Sequence, residues 1–300
     1  MLEKHQGPVG TSLPPIEIDE KRFLTNHFVL PPLPALVTRL LETVRSCDAT
    51  ANGVADLLAS DPGLVAEILK LVNSAYYGLP RRITEVRHAV AYLGLAEVER
   101  IALTATVLKF ASPNTDETFR QFWFHSFYSA LISKRLGRKY AKSLDAEELH
   151  TAVLLHDIGK LVYMRFFPDH YRTLAGYCDE HGVMFHEAEK LYDVPSHHVF
   201  GSMLSERWML PDLVRLACVE HEIEHLEDLT EQSPYHEELR IACLSNLLAN
   251  LATGKLSVDR KTAYRNATTH ALRCNEQEFL LLMGEVYELK TDVEGFLQRL

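Results

Sequence analysis

The 300-residue chain carries 31 basic and 41 acidic side chains, for a formal net charge of −10, and is 47% hydrophobic and 24% charged. That balance supplies no basic footprint for phosphate backbones, so no DNA binding is expected, and it holds enough apolar material to exclude wholesale disorder. No stretch reaches the roughly 18 uninterrupted apolar residues of a membrane span, and Met1 to His5 lack the apolar run of a secretory signal, so a cytoplasmic protein is expected.

Residues 1–30 hold Gly7, Pro8, Gly10, Pro14 and Pro15 and read as an N-terminal arm. Leu33, Leu36, Val37, Leu40, Leu41 and Val44 then follow the spacing of a one-sided helix. Asp61 before Pro62 marks a helix start, with Leu64, Val65, Ile68, Leu69 and Val72 as its apolar stripe. Thr84 is placed to cap a helix through Leu93, Gly94 stands where a left-handed cap is expected, and a further helix begins near Ala96. Ser112 to Thr115 form the clearest internal break.

Beyond the break, Phe122 to Leu136 reads as a helix, and Asp145 with Glu148 three residues on opens another that reaches His156. The stretches 186–192, 196–208, 212–224, 236–253 and 276–299 are also helical by pattern, and no period-2 strands stand out. The expected fold is all-α. Five cysteines, Cys47, Cys178, Cys218, Cys243 and Cys274, lie far apart with no CxxC pair and read as reduced core thiols.

The chemistry concentrates in the histidines, 15 in all and densest in the middle third. His125 shares a helix face with Tyr128, Ser129, Ile132 and Leu136, and His156 follows Leu149, Ala152 and Val153 on another. Asp157 comes next, in the string His156-Asp157-Ile158-Gly159-Lys160, where Gly159 lets the backbone turn without a side chain in the way. A nitrogen and an oxygen side by side at a helix end suit a divalent transition metal, and His197 and His221 are further inward-facing donors. The plainer account of any one of them is a core histidine satisfied by a hydrogen bond.

Several separated motifs occur in the order found in the HDOD domain, a signalling branch of the HD metal-dependent phosphohydrolase superfamily, which the chain resembles over roughly residues 30–225. They are Leu33-Pro34, Ser60-Asp61-Pro62-Gly63-Leu64, Asn73-Ser74-Ala75-Tyr76-Tyr77-Gly78, Leu93-Gly94-Leu95, Phe122-Trp123 before His125, the His156-to-Lys160 string, and His197 four residues before Gly201. The resemblance implies that His125, His156 and Asp157 are the first three metal ligands, holding iron, manganese, zinc or magnesium. His197, His221 and Asn246 are weaker candidates.

The HD pattern implies a closing aspartate on a later helix, and here that position reads Asn246. A neutral amide binds a divalent cation more weakly than a carboxylate and removes one negative charge from the site. At the place where cyclic-dinucleotide hydrolases of the HD-GYP branch carry paired histidines, this chain has His221 followed by Glu222, and no Gly-Tyr-Pro motif follows Lys160.

Two roles stand open for Lys160, a phosphate-neutralising catalytic partner of Asp157 or a cap on a helix carboxyl end. Asn73 and Ser74 read either as a ligand contact or as a hydrogen-bonded junction between two helical halves, and Tyr76 and Tyr77 as packing.

The expected architecture is two packed helical bundles, 31–111 and an HD-like 116–300, whose residues beyond about 225 form a divergent tail. The resemblance implies a bacterial signal-transduction module that binds a ligand or a partner, a signalling protein or a nucleotide, through a degenerate pocket, with a homodimer as one arrangement. The alternatives are a metal-dependent phosphohydrolase acting on a nucleotide or cyclic dinucleotide, and a helical scaffold with no ligand.

Overall fold

The computed structural model describes residues 13–19, 24–25, 29–74, 79–111, 117–230, 232–254 and 256–297. Most of the expected arm, the Tyr76-Tyr77 pair and the break at Ser112 to Thr115 lie outside the described residues. Two-residue strands β1 (Ile18–Asp19) and β2 (Leu24–Thr25) pair antiparallel. The other regular elements are helices: α1 (Ala35–Val44), α2 (Ala51–Ala59), α3 (Pro62–Val72), α4 (Val86–Leu93), α5 (Leu95–Ala111), α6 (Glu117–Tyr140), α7 (Ala146–Leu155) and α8 (Ile158–Phe166). They continue as α9 (Pro168–His181), α10 (Phe185–Leu191), α11 (His197–Arg207), α12 (Asp212–Val219), α13 (Ile223–Asp228), α14 (His236–Thr253), α15 (Val258–Leu272) and α16 (Glu276–Leu297). The fold is all-α, and among the described residues no helix is long and apolar enough to cross a membrane.

The chain divides into two compact units, residues 1–31 with 125–287 and residues 32–124 with 288–300, the divisions falling inside α6 and α16. In the second, α1 buries Val37, Leu40 and Leu41 and packs on α5, while α3 also packs on α5 and α2 on α4. Thr50 and Asp61 cap α2 and α3 by accepting the Gly53 and Leu64 amides. The expected Thr84 cap is displaced: Glu85, extended and without a side-chain cap bond, precedes α4. The chain has not yet turned helical at Thr84 because Asn73 grips the residue before it. Gly94 has a positive φ of 84° but an extended ψ of 168°, so it redirects the chain straight into α5 rather than closing a left-handed cap.

Asn73 is a clamp inside this unit. Its Oδ1 accepts from Ile83 N at 2.7 Å and its Nδ2 donates to Ile83 O at 2.6 Å and Leu69 O at 2.7 Å. Asn73→Ala leaves the Ile83 amide and carbonyl without their partner, so a loss of about 1–3 kcal/mol is expected in urea unfolding. A loss within measurement error would mean that water replaces the clamp.

In the other unit α8 packs on α11, α11 on α12, and α12 on both α7 and α14. The α8–α11 crossing is set by glycine. A Cβ on Gly159 would lie 1.8 Å from His197 O and 2.7 Å from Gly201 N, and one on Gly201 would lie 2.9 Å from Cys218 Cβ. Gly159 therefore sits within α8 where two backbones touch; it does not make the turn expected of it. The expected helix over 212–224 is broken at Glu220 to Glu222. Cys243 Sγ donates to Glu220 O at 2.8 Å and Asn246 Nδ2 to His221 O at 3.1 Å, so α14 takes up carbonyls at the break. All five cysteines are free, but only Cys218 and Cys243 are buried, and Cys47 is exposed.

Candidate metal centre

His156 is the last-turn cap of α7 and Asp157 precedes the first residue of α8, so the tight α7–α8 junction presents both side chains at one point. Ser196 caps α11 by accepting the His198 amide, and this starts α11 at His197, directly over Gly159. The break after α12 delivers His221, and the middle of α14 delivers Asn246.

These side chains converge on one carboxylate. His197 Nε2 and His221 Nε2 each lie 3.4 Å from Asp157 Oδ1; His156 Nε2 is 3.5 Å and His125 Nε2 3.7 Å from Asp157 Oδ2. His156, Asp157, His197 and His221 are each only 1% exposed. Yet Asp157 Oδ1 and the Nε2 atoms of His156, His197 and His221 make no hydrogen bond at all. Buried polar atoms are rarely left so, since each unsatisfied group costs about 1–3 kcal/mol.

The far side of each ring explains where its proton sits. His156 Nδ1 lies 2.6 Å from Val153 O, His221 Nδ1 2.8 Å from Ala217 O, and His197 Nδ1 2.9 Å from Glu189 Oε2. An oxygen acceptor at Nδ1 holds a proton there and turns Nε2 toward Asp157, the arrangement in which metal-bound histidines are held by their outer neighbours. The donor pairs of His156, His197 and His221 with Asp157, at 3.4–3.5 Å and without hydrogen-bond geometry, match the edges of a coordination sphere, which measure about 3–3.5 Å for bonds near 2.0–2.2 Å, while His125 at 3.7 Å stands just outside. The donor set, imidazole with one carboxylate, therefore fits a divalent transition metal.

Charge distribution points the same way. Burial pushes His125 down to about 4 and His156 to about 3, so both rings are neutral donors at ordinary pH. Burial also opposes a charge on His221, but the neighbouring Asp157 and Glu222 carboxylates outweigh it and raise the ring to about 9. Against its own burial, Asp157 is held well below the usual carboxylate range by Lys160 and the surrounding histidines. A fixed anion thus faces one neutral buried ring, His156, and one that holds a proton only because of its carboxylate neighbours, His221, and a divalent cation would take that proton's place.

Lys160 stands in the first turn of α8, not at a helix carboxyl end, so the capping role does not apply. Its Nζ lies 2.6 Å from Asp157 Oδ2 and supplies the one charge-assisted bond the carboxylate has on that oxygen. Asn246 Oδ1 faces His125 Nε2 at 3.0 Å and accepts from Asn250 Nδ2 at 2.8 Å.

Two acids escape the motif-based reading. Glu189 fixes His197 through both its amide, at 2.8 Å, and its ring. Glu222, also 1% exposed, sets Oε1 3.4 Å from His221 Nε2 and 3.0 Å from His186 Nδ1, and is held far below the usual range, against burial, by His186, His198 and His221. The anionic arm missing at Asn246 thus has a counterpart on another element. Its signal was present: His221-Glu222 repeats the histidine–acid doublet of His156-Asp157.

The family model of the HDOD domain matches residues 30–223. An uncharacterized protein of Treponema pallidum (strain Nichols) is 23% identical over 185 residues, 62% of this chain but 36% of that protein, so the chain spans little more than a third of the curated relative it matches. An HDOD domain protein of unknown function from Geobacter sulfurreducens superposes with a TM-score of 0.69 at 24% identity, over 90% of this chain and 92% of that one. A protein from Shewanella amazonensis SB2B, named provisionally as a phosphohydrolase, gives 0.66 at 22% over 90% and 94%. One from Marinobacter aquaeolei VT8, named provisionally for signal transduction, gives 0.66 at 20% over 90% and 59%. At these identities the likeness speaks to the fold.

Proposed function

Because the chain belongs to the HDOD domain family, we propose that it is a signal-transduction module whose buried centre around Asp157 binds a divalent metal as a regulatory element. His156, Asp157, His197 and His221 hold the ion, with His125 on the more open side. The observation that carries this is the set of four orphaned buried donor atoms, Asp157 Oδ1 and three histidine Nε2. When bound, such a metal supplies a fixed positive charge and Lewis acidity at that point.

Burial favours binding over turnover. A catalytic centre keeps an open coordination position, whereas a closed one serves structure or regulation, and the donors here are 1% exposed. Lys160 spends its ammonium on Asp157 at 2.6 Å, which takes it away from a substrate phosphate. Its role in this reading is to neutralise the carboxylate, and the module's partner is a signalling protein or nucleotide met outside the centre.

A phosphohydrolase is the second reading, favoured by Glu222, which restores the negative charge that Asn246 lacks. One experiment separates the two: purify the chain without chelator, measure iron, manganese, zinc and magnesium, and assay a panel of nucleotides and cyclic dinucleotides. Bound metal with no turnover is expected. Hydrolysis that tracks metal content would make the chain an enzyme, and no metal with any of the four ions would end the metal reading.

A further inference from the structure

Glu222 Oε1 is the hub of a second group of imidazoles. His186 Nδ1 lies 3.0 Å from it, His221 Nε2 3.4 Å and His198 Nε2 3.9 Å. His186 is 3% exposed, and its Nδ1, like His198 Nε2, has no hydrogen-bond partner. A protonated Nδ1 at 3.0 Å from a carboxylate would point its hydrogen at the oxygen; here the geometry misses, as it does around Asp157.

The opposite nitrogen of His186 shows why. His186 Nε2 lies 3.3 Å from Glu224 Oε1, in hydrogen-bonding geometry, so Glu224 holds a ring proton on that side, and a cation beside Nδ1 would take the place of the second ring proton next to Glu222. Glu224 is itself half exposed, so it orients the ring from the surface while Glu222 and His186 stay buried. The break between α12 and α13 places Glu222 and Glu224 two residues apart, one facing each nitrogen of His186.

We propose that His186 Nδ1, His198 Nε2 and Glu222 form a second divalent-cation site beside the Asp157 centre, with Glu224 as its positioning residue and His221 standing between the two carboxylates. Two imidazoles and a carboxylate are an N/O donor set suited to zinc, manganese or iron(II). The second site uses its own orphaned atoms, so it stands or falls separately from the reading of the Asp157 centre.

The test is zinc titration of the full chain, zinc alone being the probe, followed by calorimetry and by metal content after desalting. Two zinc ions per chain are expected, falling to one in His186→Gln and to one in Asp157→Asn. Glu224→Gln, a change at a half-exposed position that spares the core, is expected to weaken the second ion by roughly 10–100-fold and leave the first untouched. Circular dichroism of each variant checks that it folds.

One ion that Asp157→Asn removes and His186→Gln keeps would overturn the second site and leave the first. One ion with the opposite pattern would uphold the second site and remove the first. An affinity unchanged in Glu224→Gln would overturn the positioning of His186, and no binding at all would overturn both sites.

Discussion

Asp157→Asn is expected to abolish metal binding at the α7–α8 junction. The substitution keeps the volume but removes the carboxylate that lies within 3.7 Å of all four rings, His125, His156, His197 and His221, and an amide is the weaker ligand. Two effects on metal-free stability oppose each other. The variant escapes the desolvation of a buried anion, yet it strands Lys160, whose ion pair at 2.6 Å is lost. Breaking a buried pair by removing one partner costs about 3–5 kcal/mol, and Lys160, with 15% of its side chain exposed, can reach water and soften that loss. The metal-dependent part is cleaner. A ligand at a hundredfold excess over its Kd stabilises the native state by about 2.7 kcal/mol, and the variant should forfeit the share that zinc at this centre contributes. Thermal melts with and without zinc read this difference directly. A wild-type-sized zinc shift in Asp157→Asn would mean that the donors converge on Asp157 without holding an ion there.

Legibility of this molecule from its sequence followed the range of the interactions involved. The helices α1, α3 and α14 could be read because each carries its own stripe, cap or long apolar run. The His156-Asp157 doublet could be read because adjacency needs no tertiary information. Element α8 was hidden, since Gly159 next to a polar pair looks like a turn and only the neighbouring α11 backbone shows why a side chain is excluded there. The break before α13 was hidden for a similar reason: residues 212–224 are helical by pattern, and it is Cys243 and Asn246, far along the chain, that take up the carbonyls at the break. That break puts Glu222 in the centre. The anion expected at position 246 was sought by motif, and the fold supplied its counterpart from a different element, which local periodicity cannot encode.

Gly159→Ala is expected to pull the centre apart without touching a single donor. In an exposed helix interior glycine is worse than alanine by about 0.5–1 kcal/mol, so the substitution should stabilise α8 if only propensity mattered. Packing decides otherwise. The new Cβ would stand 1.8 Å from His197 O and 2.7 Å from Gly201 N, both backbone atoms that cannot rotate away, so α8 and α11 must separate. Overpacking of this kind costs about 3 kcal/mol or more, several times the propensity gain, and in a unit of this size lowers Tm by roughly 6–12 °C. Because His197 is the residue displaced, its Nε2 moves off Asp157 Oδ1, now 3.4 Å away, and zinc affinity falls together with stability. Gly176→Ala is the matched control: Gly176 is exposed within α9, and a Cβ there meets nothing within 4 Å, so the same change should raise stability by up to about 1 kcal/mol and leave zinc binding alone. Equal effects from the two variants would show that the α8–α11 contact does not position His197. Opposite signs, with zinc lost only in Gly159→Ala, are what the close helix crossing demands.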